Sequence, residues 1–265
     1  MDLQQCLTRV RMDGFCVVEG VLPEGDVEGV RQRVEHATER HGRDQARAKG
    51  IGHVPGFIRY DASLAPYLAQ PDLLHLIETL LGPEVRVSFA TATINYPGNE
   101  RGGWHADWPF NQRNAGRIPA PYPDAVMHLT TLWMLSPFSA ENGGTLLVPG
   151  SHRSANNPTG EMDVDPDAPY PTEIHAEGPA GSVLVMDSRL WHATAANGTD
   201  APRVSVVVRY APWWLNTRVL MPGSAERERL LASGRTDNDQ PPLPADVFAR
   251  LPTAAKPLFA HWIED

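Results

Sequence analysis

Between residues 85 and 210 the chain repeats one pattern, a short β-rich run followed by turn chemistry. The runs are VRVSFATATINY (85–96), VMHLTTLWML (126–135), GTLLVPG (144–150), SVLVMD (182–187) and RVSVVVRY (203–210). Each is bounded by Gly, Pro, Asn or Asp, the residues that supply turn geometry. Many short strands punctuated in this way point to a sandwich or a barrel, and the jelly roll is one such solution.

The first 84 residues read differently. GFCVVEGV (14–21) has the character of a short buried strand. The stretch after it places Val27, Val30, Val34 and Ala37 at helical spacing, with Gly42 as a stop. PDLLHLIETLLG (71–82) predicts a second helix, opened by Pro71 and closed by Gly82. Residues 43–60 carry no period and include Gly50, Gly52, Pro55 and Gly56, which predicts a mobile loop. Beyond the last β-rich run come Trp213 and Trp214, a short helix near 224–233 and a Pro-rich tail (241–257). No linker or repeat divides the chain. The expected organisation is one domain over residues 1–265: helical support over about 1–84, a β core over about 85–212 and a C-terminal extension over about 213–265.

Charge and cysteine content narrow the class. The net charge is −9 and no Lys/Arg run exceeds two residues, which argues against nucleic acid or an anionic membrane surface as partner. Cys6 and Cys16 do not make a disulfide framework. Neither a signal-like start nor an apolar run of membrane length is present. The expectation is a cytoplasmic protein acting on a small molecule.

The chemistry begins at GGWHADWPF (102–110). In an extended segment residues i and i+2 share a face, so His105 and Asp107 aim an imidazole and a carboxylate at one point. These are two of the three ligands of a 2-His-1-carboxylate iron site. The plainer alternatives are that Asp107 only orients His105, or that both lie on a solvated face. His192, where the strand after SVLVMD would begin, is the candidate third ligand, because a closed barrel brings distant strands together. Its alternative is a packed core histidine beside Trp191. Arg203 follows eleven residues after His192 and opens an alternating strand. A guanidinium facing a barrel interior needs an anionic partner, which a dicarboxylate cofactor supplies; on the surface it would pair instead with Asp200. Thr194 shares the His192 face and adds a hydroxyl donor. HAEG offers a competing pair, His175 and Glu177, one residue apart.

Taken together these segments resemble the phytanoyl-CoA dioxygenase family of Fe(II)/2-oxoglutarate oxygenases. The matching features are GFCVVEGVLPEGDV, the helix ending in LLG (80–82), WHAD (104–107), LWMLSPFSAENGG (132–144), VPGSH (148–152), and His192 with Asn197 and Arg203 behind it. The resemblance implies a mostly β fold: a double-stranded β-helix (jelly-roll, cupin-like) core with flanking N- and C-terminal helices. It implies that His105, Asp107 and His192 bind Fe(II), and that Arg203, Thr194 and Trp133 hold 2-oxoglutarate. Asn142–Gly144 and Gly150–His152 are then structural turns, and His152 is not a ligand. Many members carry a lysine on the strand ahead of the H-x-D motif, where this chain has INYPG with Asn95 and Tyr96.

The implied reaction uses O2 and releases succinate and CO2. Related halogenases have a small residue in place of the carboxylate, so Asp107 favours hydroxylation, with desaturation and epoxidation as related outcomes. The loops 43–60, 108–125, 153–173 and 211–222 are expected to cover the pocket mouth, with 43–60 as a lid. Their Arg59, Tyr60, Arg113, Arg117, Trp213, Trp214 and Arg218 suit a small polar or carboxylated molecule. Trp104 and Trp108 are expected to pack the barrel wall, and His53 and His128 are candidates to line the pocket. A catalytically silent jelly-roll binding protein and a zinc hydrolase are the competing functions.

Overall fold

Helices occupy most of the chain ahead of the main strands. In the computed structural model, which describes residues 2–107, 124–154, 158, 164–233 and 239–264, α1 (Leu3–Met12) leads into β1 (Phe15–Val18) and the long α2 (Glu24–His41). The buried stripe of α2 is Val27, Val30, Val34 and Ala37, as the spacing predicts. After α3 (Asp44–Arg47), β2 (Ile51–Pro55), α4 (Phe57–Tyr60) and α5 (Ala65–Leu68) comes α6 (Pro71–Leu81). The Gln70 side chain caps α6 by accepting from the Leu73 amide at 2.7 Å, and Gly82 ends it at φ 87°.

The strands that follow are β3 (Arg86–Asn95), β4 (Leu129–Met134), β5 (Leu146–Leu147), β6 (Ile174–His175), β7 (Val183–Asp187), β8 (His192–Ala193) and β9 (Arg203–Ala211). Six strands form one antiparallel sheet in the order β1-β7-β4-β9-β3-β2. A smaller sheet, β6-β5-β8, faces it, and a bridge between His105 and His192 extends that sheet toward the H-x-D segment. The neighbours are remote in sequence, as a double-stranded β-helix requires. The helices α7 (Ala225–Ala232), α8 (Ala245–Arg250) and α9 (Lys256–Phe259) complete the chain.

The large sheet is buried on both faces. Even-numbered residues of β9 (Val204, Val206, Val208, Tyr210) pack against a core built with α1, α2, α6 and α9. Odd-numbered ones (Arg203, Ser205, Val207, Arg209) face a cavity between the sheets. Leu132, Met134, Phe138, Leu147, Leu184 and Met186 form a second apolar cluster. Two faces of contact explain why the strands read as near-continuous apolar runs.

The 43–60 segment departs from the loop expectation. It contains α3, α4 and β2, and β2 pairs with β3 from Ile51↔Asn95 to Pro55↔Thr91. Its period is hidden because Gly52 holds a strand position where a Cβ would lie 2.5 Å from Thr38 Cγ2. Arg59 donates to the Pro242 carbonyl and pairs with Glu264, while Phe57 and Ile58 are buried. The segment is anchored framework, so the lid reading is withdrawn.

Candidate metal centre and cofactor pocket

The H-x-D segment is held in register by backbone bonds to the second histidine. The His105 amide donates to the His192 carbonyl at 3.1 Å, and the His192 amide returns a bond of 2.9 Å. Two residues on, the Asp107 amide donates to the Ser188 carbonyl at 2.7 Å. The three side chains converge: their ligand atoms all lie within 4.8 Å of one another. His192 Nε2 is 3.5 Å from Asp107 Oδ2, and His105 Nε2 is 4.0 Å from Asp107 Oδ1.

Both imidazoles have their tautomer set by backbone. His105 Nδ1 donates to the Gly103 carbonyl (3.0 Å) and His192 Nδ1 to the Leu190 carbonyl (2.9 Å). Each Nε2 lone pair is therefore left facing the centre, the arrangement a ligating histidine needs. Burial, reinforced by His105, lowers the His192 pKa to about 4, so the ring is neutral at physiological pH.

Asp107 is the most constrained group of the three. Burial alone would raise its pKa, but Arg209, His192, His105 and the Thr130 hydroxyl outweigh burial and hold it well below the usual carboxylate range. Arg209 Nη2 donates to Oδ1 at 2.7 Å and Thr130 Oγ1 to Oδ2 at 2.9 Å. Behind Thr130 runs a buried chain in which Ser188, His128 and Ser88 follow at steps of 2.8 Å. His128 is neutral, its pKa lowered to about 3 by burial and by Arg209. With Thr130 donating to Asp107, Ser188 is left to donate to Thr130 and His128 Nδ1 to Ser188, so these dipoles favour the anion.

One end of the cavity is built around Arg203. Its side chain is buried, stacks over the Phe138 ring at 4.2 Å and donates from Nη2 to Asn95 Oδ1 at 2.6 Å. Nε and Nη1 are buried without a hydrogen-bond partner. A buried cation with free donors and no counter-charge among the described residues is a costly arrangement unless an anion completes it, and burial has already lowered its pKa to about 9. The His192-to-Arg203 connection is pinned by amides: Asn95 and Asn99 donate to the Ala195 carbonyl, and Asn197 donates to the carbonyls of Asn95 and Ala201. Asn95 thus braces the Arg203 guanidinium.

Triad and arginine share one cavity of about 200 Å³, lined also by Thr194, Thr145, Leu132 and His53. Trp133, assigned to 2-oxoglutarate by resemblance, is not brought there. It lies on the opposite face of β4, in the helix-side core, with Nε1 bonded to Thr131 Oγ1 at 3.1 Å. Strand alternation gives the cavity positions to Thr130 and Leu132 instead. The competing pair is also set aside: His175 Nδ1 bonds the Gly144 carbonyl at 2.9 Å, and neither it nor Glu177 belongs to a metal-binding group among the described residues. The NGG and GSH segments are turns. Asn142 bonds the Ser139 amide and the Pro137 carbonyl, and a Cβ on Gly144 would lie 2.3 Å from the Ala176 oxygen. His152 packs on Gly14 and bonds the Arg11 carbonyl. Trp104 packs with Trp191 behind the smaller sheet. Trp108, Arg113 and Arg117 lie outside the described residues.

The Phytanoyl-CoA dioxygenase (PhyH) family model matches residues 10–205. The chain belongs to this family. Dioxygenase af480 of Aspergillus fumigatus is 34% identical over 150 residues, covering 57% of this chain and 45% of that protein, less than half its length. Ectoine dioxygenase of Nocardia farcinica is 26% identical over 224 residues, covering 73% of this chain and 72% of that one. Among solved structures, HygX from Streptomyces hygroscopicus with nickel and 2-oxoglutarate bound has a TM-score of 0.65 at 20% identity, over 89% of this chain and 96% of that one, a likeness of fold.

Within this family member, reading along the sequence missed Arg209 as a partner of Asp107, although its place on the Arg203 face followed from period-two spacing. Thr130, Thr145 and Ser205 had no signal, since each sits in an apolar run. His53 does line the cavity; His128 supports it from behind Thr130.

The buried imidazoles give this phytanoyl-CoA dioxygenase homologue a definite pH response. His53 (to about 4), His128 (to about 3) and His192 (to about 4) all have folded pKa values below the ordinary 6.5. Below pH 6.5 the unfolded chain binds protons that the folded chain refuses, so stability falls as pH falls toward 4. Each such ring gives a slope of up to about 1.4 kcal/mol per pH unit at its steepest, and His261, also lowered to about 4 by burial, adds to the three. Thermal melts of the metal-free protein from pH 7 to 4.5 are expected to show a steep decline; a flat profile would show that these rings accept protons in the fold.

Proposed function

We propose that this chain is an Fe(II)- and 2-oxoglutarate-dependent dioxygenase that hydroxylates a small organic molecule. The observation that carries the reading is one cavity into which two histidine Nε2 atoms, each ring tied to backbone through Nδ1, and a carboxylate converge beside a buried arginine with unpartnered donors. Relatives named dioxygenases, and a neighbour of the same fold solved with 2-oxoglutarate, support it. The donor set fits Fe(II): two imidazoles and one carboxylate are the ligands of a facial triad with open positions. Arg203 fits the distal carboxylate of 2-oxoglutarate, its fork held by Asn95 and Phe138.

Iron, 2-oxoglutarate and O2 together supply the oxidising power, with decarboxylation to succinate and CO2 and transfer of oxygen to a C–H bond. The chain's own residues place and shelter that chemistry. His105 and His192 present fixed lone pairs. Arg209 and Thr130 orient Asp107. Thr194 offers a hydroxyl beside the cofactor site, and Phe89, Leu132 and Val207 give the cavity apolar walls that exclude water. A zinc hydrolase has no use for the buried Arg203.

We further read residues 1–265 as one oxygenase domain, because helices from both flanks pack on one side of the large sheet. No helix among the described residues is long and apolar enough to cross a membrane. Free, buried Cys6 and Cys16 support a reducing cytoplasm as the place of work. The partners are a small-molecule substrate and O2; the net charge of −9 speaks against nucleic acid.

The test is aerobic incubation of purified protein with Fe(II), 2-oxoglutarate, ascorbate and a pool of small organic metabolites, following succinate and oxygenated products by mass spectrometry. Succinate release, and a product heavier by one oxygen atom, are expected. Tight 2-oxoglutarate binding with no turnover of it under any pool would favour the silent binding protein.

A further inference from the structure

The cavity holds a second arginine whose donors are only partly used. Arg203 and Arg209 lie on the same face of β9, six residues apart and so about 20 Å along the strand. Arg209 gives Nη2 to Asp107 and lies over the Phe89 ring at 4.6 Å. Its Nε is buried with no acceptor, and Nη1 makes no hydrogen bond. His53, two rows away on β2, lines the same cavity with a ring that makes no hydrogen bond. Burial, with Arg43 and Arg209 nearby, holds that ring neutral, so it brings an N–H donor without further charge.

Charge balance gives these donors a purpose. Among the described lining residues the cavity carries Arg203 and Arg209 against Asp107. With Fe(II) and the 2-oxoglutarate dianion added, four positive charges meet three negative ones. One buried positive charge is left over, an unfavourable state that a single anionic group removes. Resting on the oxygenase reading above, we propose that the substrate is a monocarboxylate whose carboxylate docks between Arg209 and His53, beside the metal ligands and apart from the 2-oxoglutarate anchor. Arg209 then has two tasks: Nη2 holds Asp107, and one of its two other nitrogens, Nε or Nη1, donates to the substrate carboxylate. Phe89 and Leu132 leave the rest of the molecule apolar surroundings.

The experiment uses the whole protein loaded with Mn(II) and saturating 2-oxoglutarate without oxygen, so that binding is read without turnover. Calorimetric titration of 2-oxoglutarate comes first. Benzoate against benzamide, and butyrate against butyramide, are then titrated into the loaded protein. At least one acid is expected to bind about tenfold or more tightly than its amide, the scale of a charge-assisted hydrogen bond. His53→Leu, which leaves every Asp107 contact in place, is expected to weaken that acid about tenfold with 2-oxoglutarate affinity unchanged. Arg209→Gln is expected to bring acid and amide within about twofold. Absence of any acid preference in the wild type, whether neither series binds or both bind alike, overturns the proposal. So does a preference that survives both substitutions. Failure of 2-oxoglutarate itself to bind the Mn(II)-loaded wild type would overturn the oxygenase reading, and this proposal with it.

Discussion

Replacement of Asp107 by alanine is expected to empty the metal centre. The carboxylate is the anionic ligand of the triad, and its ligand atom lies within 4.8 Å of those of His105 and His192. Residues that merely orient a ligand are worth about 10- to 100-fold in metal affinity, so loss of the ligand itself should exceed about 100-fold. The same change strands Arg209, whose Nη2 loses its 2.7 Å partner in a site where the side chain is only 13% exposed. A buried charge left alone costs about 3–5 kcal/mol, so the melting temperature should also fall. Asp107→Asn separates the two effects: its one amide oxygen keeps an acceptor for Arg209, its NH2 faces Thr130, and the anion is gone. Metal analysis after reconstitution, paired with melting curves, is the measurement. Full metal retention by both Asp107→Ala and His192→Ala would overturn the assignment of the metal to His105, Asp107 and His192.

Arg203→Ala is expected to leave metal binding intact and to raise the dissociation constant of 2-oxoglutarate well over tenfold. The guanidinium is buried, has two nitrogens without a hydrogen-bond partner and meets no carboxylate among the described residues. Losing one partner of a buried charged pair typically costs about 2–5 kcal/mol. Arg203→Lys retains a charge but not the planar fork, and Asn95 then holds the wrong shape, so a large part of the loss should persist. Calorimetry with the metal-loaded variants reads this directly. An unchanged constant would remove Arg203 from the cofactor site.

Legibility in this chain divides along a physical line. The helices α2 and α6 were readable because each buries one face, so the apolar spacing of Val27, Val30, Val34 and Ala37 reports the helix period. The strand β2 was not readable, since IGHVP owes its place to pairing with β3 and to Thr38 packing over Gly52. In the site, His105 and Asp107 were legible as a pair because two residues of separation return a side chain to the same face.

The sequence by itself determined the chemistry: which residue types stand at ligand spacing, and that an arginine follows His192 at the start of a strand. Only the tertiary structure decided which face each strand turns to the cavity. Both faces of the large sheet are covered, so LTTLWM has no inside-out contrast, and the parity of β4 cannot be inferred from hydropathy. That is why Trp133 falls on the helix side while Thr130 and Leu132 face the metal ligands. It is also why Asn95 as the brace of Arg203, and Arg209 as the partner of Asp107, emerged only when β3, β9 and the H-x-D segment stood side by side.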